Sequence, residues 1–184
     1  MALYTGENAN PAHSLHYSWT GWTEEDSRMP AIPQDVIAGL ANDWTTDDLT
    51  LVSHACTRDS VQFTMSTPPH VVPAVLAARV KGRLQYVLRR AGEPTTFSRK
   101  LAVRSLGENR RATVERYIRD QLLHVDLCDP RMHIAVRGGV ESSPAEIAVA
   151  IQNETARAAL GCRVWRDQFY VGTFSEYDLD AVRD

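Results

Sequence analysis

Apolar and polar positions alternate along this chain with two different periods, and the changes between them mark out its elements. Residues 15–22, LHYSWTGW, form an aromatic and β-branched run between polar turns and read as a first strand. Pro33 then opens a helical stretch over 33–42, since proline is tolerated in a first turn. The runs 49–57 and 60–67, separated by Arg58 and Asp59, predict a hairpin whose second strand places Val61, Phe63 and Met65 on one face. From 71 to 90 the apolar positions Val72, Val75, Leu76, Val80, Leu84, Val87 and Leu88 recur at helical spacing, so a long helix is expected there.

A strand over 100–105 follows, and after Gly107 a helix over 109–123 carries Val114, Ile118 and Leu122 as a stripe four residues apart. The succession then repeats in outline. Residues 132–138 read as a strand, 142–160 as a helix capped by Ser143 with Pro144 at its first position, 168–174 as a strand, and 176–184 as the start of a helix. Phe97 set on Trp165 aligns 97–116 with 165–184 without a gap, pairing Val103 with Val171, Ser105 with Thr173, Glu108 with Glu176 and Val114 with Val182. The fold expected is α+β: a ferredoxin-like antiparallel sheet with packed helices. It divides into a unit over 14–121 and a shortened second copy over 122–184. Two amphipathic βαβα units also look alike without common descent, so the duplication stays one of two readings.

Composition sets wide bounds. With 184 residues, 43% of them hydrophobic and 23% charged, the chain suits a globular core and suits neither disorder nor a fibrous repeat. Neither a basic, apolar leader nor a run of about 18 uncharged apolar residues occurs, so a cytoplasmic protein without membrane partners is expected. Cys56, Cys128 and Cys162 are widely spaced and odd in number, and are expected as reduced, mostly buried thiols.

Charge changes the picture more. The formal net charge is -3, but residues 1–78 hold 2 basic and 9 acidic side chains, residues 79–121 hold 12 and 4, and residues 122–184 hold 6 and 10. Segment charges of -7, +8 and -4 leave a basic middle third between acidic flanks. Such a stripe is what a phosphate-binding face needs, and it is also what a solvated helix neutralised by its neighbours looks like. The cations concerned are Arg79, Lys81, Arg83, Arg89, Arg90, Arg99, Lys100, Arg104, Arg110 and Arg111.

The segment 103–121, VRSLGENRRATVERYIRDQ, is the most specific. Ser105, Leu106 and Gly107 end a strand, and Tyr117, Ile118 and Gln121 follow on a helix. This pattern resembles the single-tyrosine transposases of the histidine–hydrophobic–histidine (HUH) class, found in the simplest insertion sequences and in the REP-associated tyrosine transposases. The similarity reaches back to about residue 14, through His16, the hairpin and the segment LAARVKGRLQYVLRR.

The resemblance implies a site in which two strand histidines hold a divalent cation, such as magnesium or manganese, that polarises the scissile phosphate. Tyr117 would then attack to form a 5′-phosphotyrosine link, with Gln121 one helical turn away completing the metal shell. A phenol with a pKa near 10 needs such help, because little phenolate exists near neutrality. This chain departs from the pattern at the decisive strand. It reads Ser60, Val61, Gln62 where the family carries its histidine pair, and Arg131, Met132, His133 at the matching place of the second copy. Gln62 and His133 are weaker ligands than an imidazole pair, and His54, His16 and His133 are the available substitutes, while His13, His70 and His124 show no metal spacing.

Three functions stay open from the sequence. The first is a transposase-derived protein that binds single-stranded or hairpin DNA and needs no cofactor, with Tyr117 only a packed residue. The second is an active tyrosine nuclease or strand transferase with rearranged ligands, and the third a protein-interaction module. Family members are similar in working as dimers, which implies a homodimer or a pseudo-dimer within one chain.

Overall fold

A computed structural model describes residues 3–7, 10–24, 27–93, 95–107, 116, 134, 136–159, 161–165 and 168–173. The described elements are β1 (Asn10–Ser14), β2 (His16–Thr23), α1 (Gln34–Thr45), β3 (Thr50–Cys56), β4 (Ser60–Ser66), α2 (Pro73–Arg90), β5 (Phe97–Leu106), α3 (Pro144–Ala158) and β6 (Gln168–Gly172).

The fold is α+β, built on a four-stranded antiparallel sheet in the order β3-β4-β2-β5. Period-two alternation gives the two central strands one wholly apolar face. Tyr17 and Trp19 of β2 and Val61, Phe63 and Met65 of β4 are buried beneath α1 and α2. Helix α1 contributes Ile37, Leu40 and Trp44, and α2 contributes Leu76, Val80, Leu84 and Leu88, each set spaced along one stripe. Phe63 lies at the centre, stacked on Trp19 at 6.1 Å between ring centroids and meeting Trp44 edge-on at 5.0 Å. Gly21 is required by this packing, because a Cβ there would overlap the indole ring of Trp19.

The hairpin, both helices on this layer and the capped third helix match their expected places within a few residues. Ser143 and Glu146 form a reciprocal capping box, with Pro144 in the first turn of α3. Three expectations are corrected. Ile134 and residues 136–139, in the stretch expected as a strand over 132–138, lie outside any strand, with Ile134 and Val136 exposed. Strand β5 begins at Phe97, earlier than the expected 100, because its first residues pair with the end of β2. Cys56 and Cys162 are exposed rather than buried. Cys56 ends the edge strand β3, whose residues beyond Leu51 are all exposed.

A second sheet joins the chain's distant parts: β1 pairs with β6 in parallel, Asn10 opposite Gln168 through Ser14 opposite Gly172. Only Leu15 separates β1 from β2, so this ribbon runs directly into the main sheet. Thr173 ties the two together, accepting from the His16 N–H at 3.0 Å and donating to the Leu106 carbonyl. Among the described residues, no helix is long and apolar enough to cross a membrane.

Candidate functional site

The face of the main sheet turned away from α1 and α2 follows from the same alternation. Strand β2 presents His16, Ser18, Thr20 and Trp22 there, and β4 presents Ser60, Gln62, Thr64 and Ser66 opposite them. This is a polar strip along the two central strands, with one aromatic residue at its end.

Ser60 and Gln62 occupy the strand positions at which the resemblance implies histidines, and both are engaged in hydrogen bonds with the fold. Gln62 donates through Nε2 to Ser18 Oγ at 2.7 Å, across the β2–β4 ladder. Ser60 Oγ lies 2.7 Å from Thr57 Oγ1, closing the hairpin turn together with the Ser60 N–H. This donor set does not fit a divalent metal, since neutral hydroxyl and carboxamide groups are poor ligands compared with imidazole. The described histidines are not gathered around it either. His16 shares the face, but the register sets it four residues along from the position opposite Gln62, about 13 Å away at strand spacing. His54 points to the helix side, with its ring 6.5 Å from that of Phe63. Among the described residues, no three His, Cys, Asp or Glu side chains come together as a metal site.

Tyr117, Gln121, His133, Arg110 and Arg111 lie outside the described residues. Tyr17, on β2, is no stand-in for the phenol nucleophile: it faces the core, and burial pushes its pKa up.

The eight described candidate cations do not share one face. Arg79 and Arg83 lie along the side of α2 that meets α1, and acidic residues hold them. Arg83 Nε reaches Asp47 Oδ2 at 2.7 Å and its Nη1 lies 3.8 Å from Asp43, while Arg79 lies 3.5 Å from Asp47. The hydrogen bond from Arg83 holds the Asp47 carboxyl below its ordinary pKa. Arg90 sits over the Tyr86 ring, its guanidinium carbon 5.7 Å from the centroid. Arg89 and Arg90 also suit a helix C-terminus, where the backbone dipole favours cations. Lys81 donates to the Ser98 carbonyl at 3.2 Å, fastening α2 to the start of β5. Arg104 stands on the polar face, opposite Ser18.

Arg99 and Lys100 differ from these. Between Gly21 opposite Leu101 and Thr23 opposite Phe97, β2 has the single residue Trp22 where β5 has Ser98, Arg99 and Lys100. A bulge of this kind turns side chains out of the ladder. Arg99 and Lys100 are exposed, and neither side chain has a hydrogen-bond or ion-pair partner among the described residues.

Sequence reasoning passed over Trp22, although the signal was present. Tyr17, Trp19 and Gly21 alternate with His16, Ser18, Thr20 and Trp22, so once the first set faces the core the last tryptophan must lie on the polar side. It is 38% exposed.

No family model matches the chain, and no curated protein matches it. Among solved structures, the crystal structure of a "putative transposase" from Deinococcus radiodurans is similar in fold, with a TM-score of 0.43 and 20% sequence identity over 60% of this chain and 92% of that one.

Proposed function

We propose that the chain is a transposase-derived protein that binds single-stranded or hairpin DNA without cutting it. The observation that carries this reading is the state of the central strand: Ser60 and Gln62 stand where the resembling family carries its metal-binding histidines, and both are bound to Thr57 and Ser18. A phosphodiester lying over this face would meet no polarising cation held by these two positions, so a phenol nearby would face an unactivated ester. The strand order β3-β4-β2-β5 around two helices is also that of a ferredoxin-like βαββαβ unit, which supports the kinship read from 103–121. The DNA part rests on Arg99 and Lys100, which have no side-chain partner among the described residues, with Arg89 on α2, all within the segment of charge +8.

The test is binding of fluorescent hairpin and single-stranded oligonucleotides across a salt series. Contacts to phosphates make the logarithm of affinity fall with the logarithm of salt concentration, by about 0.7 per contact on a single strand. Failure to retain either oligonucleotide at micromolar protein and low salt overturns the reading.

The pairing of Arg79 and Arg83 with Asp43 and Asp47 favours a second reading, in which acidic neighbours neutralise the basic helix and the chain is a protein-interaction module. The same salt series separates the two, since such a module shows no DNA affinity to lose.

A further inference from the structure

Trp22 is the residue on the polar sheet face that the fold does least to explain. Its neighbours Thr20 and Ser18 are small and polar, and the core on the other side is already filled by Trp19 and Phe63. An indole left 38% exposed at the end of a central strand costs hydrophobic free energy that further burial would recover.

Its surroundings point to a ligand chemistry. The β5 bulge sets Arg99 and Lys100 directly across from it, and the bond from Lys81 to Ser98 holds that bulge against α2. Arg58 lies exposed in the β3–β4 turn, whose Asp59 carbonyl accepts from the Thr23 N–H at 2.8 Å. Among the described residues the carboxylates of Glu24 and Asp59 stand at the same end, and the Asp59 side chain accepts from Thr57 Oγ1 at 2.9 Å, while Glu25 and Asp26 follow Glu24 in the sequence and lie outside the described residues. Among the described residues, Arg58, Arg99 and Lys100 stand with Glu24 and Asp59 at the end of the sheet that carries this flat aromatic ring, beside hydroxyl and carboxamide groups. That combination suits a base stacked on the ring with its phosphates on the rim.

We infer that Trp22 is a base-stacking platform for single-stranded DNA crossing this end of the sheet, with Arg99 and Lys100 holding the adjacent phosphates. The inference rests on the DNA-binding reading and adds to it the place and the manner of contact. A duplex keeps its bases inside and offers the indole no base face, so the platform selects unpaired DNA.

The test compares the full chain with Trp22→Ala and Trp22→Phe, using a labelled thymidine oligonucleotide, the same oligonucleotide with abasic sites, and a duplex. Trp22→Ala weakens binding of the thymidine strand about tenfold, Trp22→Phe restores most of it, and duplex affinity is unchanged. Abasic DNA binds the wild type as weakly as thymidine DNA binds Trp22→Ala, with no further loss in the variant. Circular dichroism confirms that each variant is folded, and the abasic comparison on the wild type stands even where Trp22→Ala is not. Equal binding of abasic and thymidine strands by the wild type overturns the stacking inference while leaving DNA binding intact. Binding of none of the three DNAs overturns both.

Discussion

Gln62 on β4 donates to Ser18 on β2 over 2.7 Å, so a position at which the resemblance implies a metal ligand here fastens two central strands together. Ser18 is only 5% exposed, and its hydroxyl has little access to water as a substitute partner. Gln62→Ala is expected to lower unfolding free energy by about 1–2 kcal/mol. Denaturant titration checks this, and the loss should be the same with and without manganese. A loss confined to the manganese series would make Gln62 a ligand.

The two positions can also be tested by gain. Ser60→His with Gln62→His puts two imidazoles on one face of β4, spaced by period two. The double variant is expected to bind manganese or zinc with a calorimetric signal well above that of the wild type, despite losing the Gln62 bond. Absence of any gain would mean that this face lacks the geometry the resemblance implies.

Arg83 and the bulge cations should separate in a binding assay. Arg83 is held by Asp47 and Asp43, so Arg83→Ala is expected to leave the salt dependence of DNA binding nearly unchanged, whereas Arg99→Ala with Lys100→Ala lowers the slope by about 1.4. The reverse result would move the phosphate track to the α1 side of α2.

The same pair makes a pH prediction. Asp47 has its folded pKa lowered, chiefly by the Arg83 hydrogen bond, so the unfolded chain binds the proton more readily. The stabilisation is complete above the unfolded value of about 4 and is lost as pH falls from there through the lowered folded value. With the Arg83 side chain 35% exposed and that of Asp47 19%, solvent screening keeps it below about 1 kcal/mol. Thermal melting of Arg83→Met should fall below wild type at pH 7, and the gap should narrow below pH 4.

Much of the main sheet was legible because its signals are local. Val61, Phe63 and Met65 alternate, Val80, Leu84 and Leu88 recur every four residues, and Ser143 with Glu146 spells out a cap. Strand β1 carried no such signal. It contains Pro11 and Asn10, and its partner β6 lies about 160 residues away, so only tertiary pairing makes it a strand. The candidate site divided in the same way. That Ser60 and Gln62 are not histidines could be read directly, but the difference between Arg83, paired with Asp47, and Arg99, without a partner among the described residues, depends on where Asp47 and the β5 bulge fall in space.

The N-terminal segment provides a separate check on long-range packing. Asn153 of α3 accepts from the Leu3 and Tyr4 N–H groups at 2.8 and 3.0 Å and donates to the Tyr4 carbonyl at 2.8 Å. Asn153→Ala removes all three bonds and should expose the first residues to limited proteolysis, with cleavage before residue 10 appearing at protease levels the wild type withstands.

The most direct test of binding without cutting uses one reaction: a labelled hairpin oligonucleotide incubated with the protein and manganese at low salt, then divided between native and denaturing gels. A retarded band on the native gel and an unaltered strand on the denaturing gel is the predicted result. A protein–DNA adduct that survives denaturation and vanishes in Tyr117→Phe would contradict it, as would the absence of any retarded band.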